Sequence, residues 1–197
     1  SRLLPEPGSV CLATAGNDRT VRIWNGATGK EIRKLTAHQD VANSVAWSPD
    51  GKWLASGGRD GTAKVWDVAT GAETRTFRGE PGAAVFVAWS PDGQRLAAST
   101  SIGGNTPGTV IVWDTTSERE VLNLDRRGDS RVAWSPDGKR IATRTGGEWW
   151  NFKMWDAQSG QELLTFPSDA HGMYALAWSP DGRRVACGES PCMARIW

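Results

Sequence analysis

Two histidines are the residues of this sequence whose type best suits acid–base chemistry. A Ser–His–Asp reaction centre would have to use His38 or His171 as the general base for a serine nucleophile. Neither histidine is followed by a Gly-x-Ser-x-Gly nucleophile turn. The sequence also lacks a Gly-rich phosphate loop ending in Gly-Lys-Ser/Thr and a His-Glu-x-x-His zinc motif. We therefore predict no catalytic residue, no cofactor and no metal site.

Aspartates recur in one sequence context. The motif Ala-Trp-Ser-Pro-Asp-Gly occurs four times, with its aspartate at Asp50, Asp92, Asp137 and Asp181. Proline fixes φ and glycine permits positive φ, so the motif predicts a tight turn at the end of a short apolar strand. Because the aspartate always occupies the same turn, the pattern favours a repeated architecture over a pair of catalytic carboxylates.

The tryptophans give the period of this architecture. A second tryptophan ends five short, mostly apolar runs, at Trp24, Trp66, Trp113, Trp155 and Trp197. Successive members of this set are 42, 47, 42 and 42 residues apart. The chain is therefore a repeat array over nearly its whole length.

Each repeat predicts four short antiparallel strands with no helix between them. In the repeat that contains Trp66, the strands are expected within 41–47, 53–57, 62–67 and 73–77. One such sheet cannot bury both of its faces, so neighbouring sheets must stack. At this period the arrangement that stacks them is a β-propeller, so we predict an all-β fold of about five four-stranded blades, partial at both ends.

These motifs resemble those of WD-repeat proteins, which are related to the β-subunit of heterotrimeric G proteins. The resemblance covers essentially the whole chain, and its best copy runs from His38 to Trp66. It implies a buried hydrogen-bonded set of a histidine, a strand hydroxyl, a turn aspartate and a tryptophan, here His38, Ser56, Asp60 and Trp66. The position of the hydroxyl stays open, because Gly58 is nearer to the turn than Ser56.

Other repeats depart from this pattern. The first repeat keeps Asp18 six residues before Trp24 but has no preceding histidine. In the last blade His171 takes the histidine position without the aspartate. The residues that replace the turn aspartate in the last three repeats are Pro107, Trp149 and Pro191.

The turn between the second and third strands is enlarged in two repeats, at 100–108 and 145–151. The family resemblance implies that this turn opens on the face that carries the linkers between blades, where partners most often bind. Trp149 and Trp150 are adjacent, so they point opposite ways on an extended chain. We predict that at least one of them is an exposed binding anchor. The alternative is that one packs inward while the other covers the insertion.

Four further residues face the same side by alignment. They are weaker candidates for partner contact, with a solvated surface role as the alternative: Arg59, Tyr174, Asn43 and Ser130. The overall prediction is a non-catalytic protein–protein interaction scaffold with a protein or peptide partner. The alternatives are a small-ligand or glycan-binding propeller and a regulatory propeller segment of a larger signalling or NTPase protein. Loops that differ between blades favour one extended protein surface over several equivalent small sites.

The charge balance argues against two classes of partner. With 23 Lys and Arg against 22 Asp and Glu, the formal net charge is +1, which gives no long-range attraction to nucleic acid or to an anionic membrane. No apolar run approaches the roughly 18 residues of a membrane span. Three cysteines without a Cys-x-x-Cys pair, Cys11, Cys187 and Cys192, indicate reduced thiols and a cytoplasmic location.

The predicted blade boundaries leave two incomplete ends. They are a partial blade at 1–36, blades at 37–79, 80–125 and 126–166, and a partial blade at 167–197. An open array of this kind would expose unpaired strand edges. We therefore expect the ring to be closed by further blades, either from a longer chain or from another copy.

Overall fold

Antiparallel β-strands make up the regular structure of the described part of the chain. The computed structural model describes residues 10–79, 82–101, 108–145, 151–167, 173–189 and 193–196. Within these ranges no helix is long and apolar enough to cross a membrane.

The described strands form four sheets in chain order. The first contains β1 (Cys11–Ala15), β2 (Thr20–Asn25) and β3 (Glu31–Thr36). The second contains β4 (Ala42–Trp47), β5 (Trp53–Gly58), β6 (Thr62–Asp67) and β7 (Glu73–Arg78). The third has seven strands: β8 (Ala84–Trp89), β9 (Arg95–Ser101), β10 (Gly108–Asp114), β11 (Glu120–Trp134), β12 (Arg140–Thr145), β13 (Asn151–Asp156) and β14 (Glu162–Pro167). The fourth contains β15 (Met173–Trp178), β16 (Val185–Glu189) and β17 (Met193–Ile196).

The sheets correspond to five blades of the predicted kind. Blade 1 is β1–β3, blade 2 is β4–β7, and blade 5 is β15–β17. The seven-stranded sheet holds blades 3 and 4, which share β11. The all-β fold with four-stranded antiparallel blades is confirmed, and blade 2 shows it with strands within a residue or two of the expected bounds.

The shared strand β11 differs from the expectation of separate strands in blades 3 and 4. Its first part pairs with β10 and its second part with β12. Gly128 pairs with Gly108 on one side and with Thr145 on the other. Because no proline interrupts 125–130, the backbone stays extended and hydrogen-bonded from one blade into the next. The boundary between blades at 125/126 stays a prediction.

The apolar core is divided among the junctions between consecutive blades. Leu54 and Ala55 are adjacent on β5, and neither has any exposed surface. Leu54 packs in a cluster with Val21 of blade 1, whereas Ala55 packs in a cluster with Val87 of blade 3. Similar clusters join blades 3 and 4 and blades 4 and 5. Stacking therefore buries both faces of blades 2, 3 and 4, because alternate side chains of a strand point to the two neighbouring blades.

In blades 3, 4 and 5 the tryptophan of the Ala-Trp-Ser-Pro-Asp-Gly motif ties the blade to the preceding one. This residue ends the first strand of its blade, which we call the inner strand; the inner strands are β4, β8, the second part of β11, and β15. Its indole Nε1 donates to the main-chain oxygen of the motif alanine one blade earlier. The pairs are Trp89 with Ala46 at 3.1 Å, Trp134 with Ala88 at 3.2 Å, and Trp178 with Ala133 at 3.3 Å.

The turn that follows each inner strand is closed by its own side chains. Ser48 Oγ donates to Asp50 Oδ1 at 2.6 Å and accepts the backbone N–H of Trp53 at 2.9 Å. Gly51 has φ +68°, a conformation that favours glycine. The hydrogen bond from Ser48, with the backbone N–H of Lys52, lowers the pKa of Asp50 below its ordinary value. The recurring aspartates thus hold turns, as the sequence pattern indicated.

Candidate functional site

A buried polar cluster lies in blade 2, where it joins β5, β6 and the turn between them to the preceding linker. His38 is 5% exposed and Ser56 0%. His38 Nε2 lies 2.9 Å from Ser56 Oγ, and the Trp66 indole donates to the same oxygen at 2.9 Å. His38 Nδ1 lies 3.2 Å from both carboxylate oxygens of Asp60. The structure therefore brings together His38, Ser56, Asp60 and Trp66, and the hydroxyl is that of Ser56.

The donors and acceptors of this cluster form one consistent chain. Trp66 can only donate, so Ser56 Oγ accepts its indole N–H and donates its own proton to His38 Nε2. His38 Nδ1–H then donates to Asp60. This is the order of groups in a serine hydrolase triad. Here Ser56 is fully buried and already holds the Trp66 indole, so a substrate carbonyl cannot reach its oxygen.

Thr62 is a member of the cluster that the sequence analysis missed. Its Oγ1 donates to Asp60 Oδ1 at 2.7 Å and lies 3.1 Å from His38 Nδ1. The signal for it is an Asp-x-Thr spacing that blade 1 repeats, since Thr20 Oγ1 donates to Asp18 Oδ1 at 2.7 Å. A turn aspartate followed two residues later by threonine therefore predicts this self-closed turn in both blades.

The cluster sets the protonation of its two ionisable groups. Burial lowers the pKa of His38 below its ordinary 6.5, although the nearby Asp60 carboxylate acts the other way. Burial alone would raise the pKa of Asp60, but hydrogen bonds from Thr62 and from the backbone N–H of Gln39 hold it below 3.8. At neutral pH the histidine is therefore neutral and the aspartate charged, so hydrogen bonds rather than an imidazolium charge stabilise the carboxylate.

We expect the stability of the chain to fall as the pH drops below 6.5, the ordinary pKa of histidine. His38 has a lowered pKa in the folded state, so the unfolded chain takes up its proton first. Neutral His38 therefore makes its full contribution to the free energy of unfolding above pH 6.5. Below that pH the free energy of unfolding falls by up to about 1.4 kcal/mol per pH unit. The Asp60 contribution is lost only below pH 3.8. Urea unfolding between about pH 8 and pH 5 measures the slope.

The matched variants for this pH test are His38→Asn and His171→Asn. The first should flatten the decline between pH 6.5 and pH 5, because it removes the titrating group. The second should leave the decline in place. Stability that rises as the pH falls through this range would contradict the assignment of a neutral buried histidine.

Other blades keep only parts of the cluster. The indole of Trp24 donates to Thr14 Oγ1 at 2.9 Å, and that of Trp155 to Thr143 Oγ1 at 2.8 Å. In blade 3 the hydroxyl position is Ala98, and Trp113 instead stacks on Phe77 with ring centroids 5.1 Å apart. The described tryptophans thus stay buried or half-buried even where the polar partners change.

Antiparallel pairing places the turn after the second strand and the linker before the first strand on one edge of each blade. The backbone N–H of Arg59, in the turn 59–61, donates to the carbonyl of Val41 at the end of the linker 37–41, at 2.8 Å. We call this edge the linker face. The opposite edge carries the turn 48–52, and we call it the Ser-Pro-Asp-Gly face.

The predicted partner residues differ in their exposure on the linker face. Arg59 is exposed there. Asn43 is half-buried on β4, and its amide nitrogen is buried with no hydrogen-bond partner in the described part of the chain. Ser130 and Tyr174 lie in β11 and β15, but their side chains are outside what the structure describes. Also outside the described residues lie Trp149, Trp150, His171 and the tips of the enlarged turns at 102–107 and 146–150.

A cavity of about 500 Å³ opens on the Ser-Pro-Asp-Gly face between blades 3 and 4. Its lining includes Asp92, Arg95, Trp134 and Lys139. Two of its charged groups are committed to the fold, since Asp92 Oδ1 accepts Ser90 Oγ and Arg95 Nη1 donates to the Ala157 carbonyl at 2.6 Å. In the described ranges no group of His, Cys, Asp and Glu side chains could hold a metal ion.

Comparison with known families decides what these blades are. The sequence profile of the family described as "WD domain, G-beta repeat" matches residues 4–25, 29–67, 71–114 and 160–197, well over half of the chain. The chain belongs to the WD-repeat family. WD-repeat proteins generally act as protein-interaction scaffolds and not as enzymes.

Curated WD-repeat relatives match single repeats of this chain. Coronin-7 of Mus musculus is 58% identical over 41 residues, which is 21% of this chain and 4% of coronin-7. The F-box-like/WD repeat-containing protein TBL1X of Mus musculus is 49% identical over 45 residues, 23% of this chain and 8% of that protein. Protein HIR1 of Cryptococcus neoformans is 45% identical over 42 residues, 21% of this chain and 5% of HIR1. The matched region is thus a small fraction of each relative.

Proposed function

We propose that this WD-repeat chain is a non-catalytic scaffold that binds a protein or peptide partner on its linker face. The observation that carries the proposal is the contrast between the two faces. On the Ser-Pro-Asp-Gly face, blades 2, 3 and 4 have turns of the same length, at 48–52, 90–94 and 135–139. Turns that are alike in successive blades are typical of structural support. Turns that differ between blades are typical of a surface that recognises a partner.

The turns of the linker face do differ between blades. The second and third strands are separated by residues 59–61 in blade 2, by 102–107 in blade 3 and by 146–150 in blade 4. The added residues therefore belong to two neighbouring blades, 3 and 4. They follow blade 2, whose linker-face turn exposes Arg59. This clustering supports one extended contact surface over blades 2 to 4.

The tryptophans in the enlarged turn of blade 4 give the test. We expect replacement of both Trp149 and Trp150 by alanine to weaken partner binding about tenfold or more, because exposed tryptophans are frequent interface anchors. Partner proteins would be recovered from an extract of the source cells on the immobilised chain. The affinity of the purified partner would then be measured for each variant by calorimetry.

The control for this experiment is Lys52→Ala, whose side chain is 76% exposed on the opposite face. It should leave the partner affinity unchanged. Unfolding curves of all variants show whether the fold is retained. Full affinity in the double tryptophan variant, with the fold intact, would remove these residues from the interface.

One alternative function is a small-ligand or glycan site, which the cavity between blades 3 and 4 favours by its volume. Because Asp92 and Arg95 are already bonded within the fold, these two charged groups are not available to orient a ligand. Another alternative is a regulatory propeller in a longer signalling or NTPase protein, in line with the small share of each relative that matches. A cytoplasmic location remains part of the proposal, supported by three cysteines without a Cys-x-x-Cys pair. The absence of nucleic-acid and membrane partners is also part of it, supported by the net charge of +1.

A further inference from the structure

Three arginines lie where blades 1 and 2 meet the linker face. Arg19 is in the turn 16–19 between β1 and β2, Arg59 is in the turn 59–61, and Arg78 ends β7. All three are exposed, and within residues 10–79 none of their guanidinium groups has a hydrogen bond or an ion pair. We call these three residues the basic rim.

The other arginines of residues 10–79 bond within the fold. Arg22 Nη2 lies 2.6 Å from Asp18 Oδ2. Arg75 Nε lies 3.3 Å from Glu118 Oε1. Arg33 donates from both of its Nη atoms to carbonyls of the following blade, each at 3.0 Å. In these two blades the guanidinium donors that stay available are therefore those of the basic rim.

The linker 37–41 holds the turns of both blades together. The backbone N–H of His38 donates to the Arg19 carbonyl at 3.2 Å. That of Arg59 donates to the Val41 carbonyl at 2.8 Å. Arg19 and Arg59 therefore flank one linker. Because stacked sheets lie about 10 Å apart, a single short segment can contact both residues.

The turn of blade 1 does not itself require an arginine at position 19. Arg19 has φ +68°, and the corresponding residue of blade 2, Gly61, has φ +77°. Both carbonyls accept an N–H of the segment that leads into the next blade, so glycine is sufficient for the turn. A side chain in this left-handed conformation costs free energy. The arginine is therefore better explained by what its side chain can bind.

The acidic groups beside the basic rim already have other donors. Asp18 accepts Thr20 Oγ1 and pairs with Arg22. Asp60 holds the buried histidine cluster. The remaining acidic residue of the two turns and the linker is Asp40, whose Oδ1 accepts the N–H of Val41 at 2.7 Å. The basic rim thus faces solvent with donors that these carboxylates do not saturate.

We propose that the basic rim recognises an acidic stretch of the protein partner, by hydrogen bonds from its guanidinium groups to side-chain carboxylates. The planar guanidinium matches the two oxygens of a carboxylate. In an extended peptide, carboxylates two or four residues apart point to the same side and are about 7 to 14 Å apart, which fits two neighbouring blades. This inference rests on the proposed function, because it names the chemistry of a partner on the linker face.

A nucleic acid is a poorer fit than an acidic peptide. Binding along a phosphate backbone uses many cationic contacts. The basic rim offers three, with the exposed carboxylate of Asp40 beside them. A short stretch of carboxylates can pair with the arginines without running past Asp40.

A labelled acidic peptide tests the basic rim. Fluorescein-labelled octaglutamate is titrated with the full chain and followed by fluorescence anisotropy, with labelled octaglutamine as the uncharged comparison. We expect saturable binding of octaglutamate alone, weaker at about 500 mM NaCl than at about 50 mM. Replacing Arg19, Arg59 and Arg78 together by glutamine should reduce the affinity at least about tenfold, because the charge-assisted hydrogen bonds are lost.

The matched control is Arg183→Gln, which removes an exposed arginine from the Ser-Pro-Asp-Gly face. It should leave the octaglutamate affinity within about twofold of the parent. A second variant, Arg19→Gly, separates binding from folding. It should weaken octaglutamate binding without lowering the urea midpoint of unfolding, because glycine adopts positive φ without strain.

The basic rim and the proposed function fail in different ways. A lack of saturable octaglutamate binding, equal binding to the triple arginine variant, or equal binding of a labelled deoxythymidylate decamer overturns the acidic-peptide site. A recovered partner whose affinity falls in the Trp149→Ala, Trp150→Ala variant but is unchanged in the triple arginine variant overturns the basic rim alone. Partner affinity that is unchanged in both variants overturns the basic rim and the linker-face surface together.

Discussion

Replacement of Asp60 by alanine is expected to lower the free energy of unfolding by about 3 kcal/mol, because it leaves several buried donors without an acceptor. The Asp60 carboxylate accepts His38 Nδ1, Thr62 Oγ1 and the backbone N–H groups of Gln39 and Thr62. His38 and Thr62 are buried, and the Asp60 side chain is only 9% exposed. Loss of the carboxylate also frees the His38 ring, which orders Ser56 and Trp66 through the same chain of hydrogen bonds.

The matched control for this prediction is Asp18→Ala in blade 1. Asp18 closes an equivalent turn with Thr20 Oγ1, but its side chain is 44% exposed, and its other described side-chain partner is Arg22 rather than a histidine. We expect this change to cost clearly less than Asp60→Ala, because water can replace the lost bonds. Urea unfolding at neutral pH measures both variants. Equal losses would show that the histidine network contributes nothing beyond the turn itself.

Replacement of Leu96 by alanine is expected to cost about 3 kcal/mol, within the usual range for removing a fully buried leucine side chain. Leu96 is 0% exposed and packs in the junction between blades 2 and 3, against Val87 and Trp113. The same change at Leu12, the corresponding residue of β1, should cost less than about 1 kcal/mol in the chain alone, since most of that side chain already contacts solvent.

The comparison of Leu96→Ala with Leu12→Ala also checks the state of β1 in solution. Chemical unfolding of the two variants at low protein concentration gives both free energies under the same conditions. A loss at Leu12 as large as that at Leu96 would show that another strand covers β1 in the chain by itself. That result would contradict the exposure of Leu12 on β1.

The repeat period made the fold predictable from the sequence. Trp66 and its counterparts recur at nearly constant spacing, and a tight Ser-Pro-Asp-Gly turn leaves the chain little choice between the first two strands of a blade. Local turn chemistry and alternating burial therefore agree with the stacked sheets. The continuous strand β11 was not predictable in this way, because its course depends on Gly128 pairing with both neighbours, a tertiary feature without a local signal.

The candidate sites were predictable only in part. Asp60 and His38 could be placed from the family resemblance, but the choice of Ser56 over the residues nearer to the turn depends on the strand register, in which Ser56 pairs with Lys64. The role of Thr62 follows from an Asp-x-Thr spacing whose meaning is clear only when the bond is seen.

Photo-crosslinking at the two faces tests the proposed scaffold most directly. A benzoylphenylalanine would replace Arg59, which is exposed on the linker face, or Lys52, whose side chain is 76% exposed on the Ser-Pro-Asp-Gly face. Both variants would be irradiated in an extract of the source cells, and the adducts identified by mass spectrometry. The proposal predicts one dominant protein adduct at position 59 that is lost in the Trp149→Ala, Trp150→Ala background and is missing at position 52. A dominant adduct at position 52 with none at position 59 would contradict it.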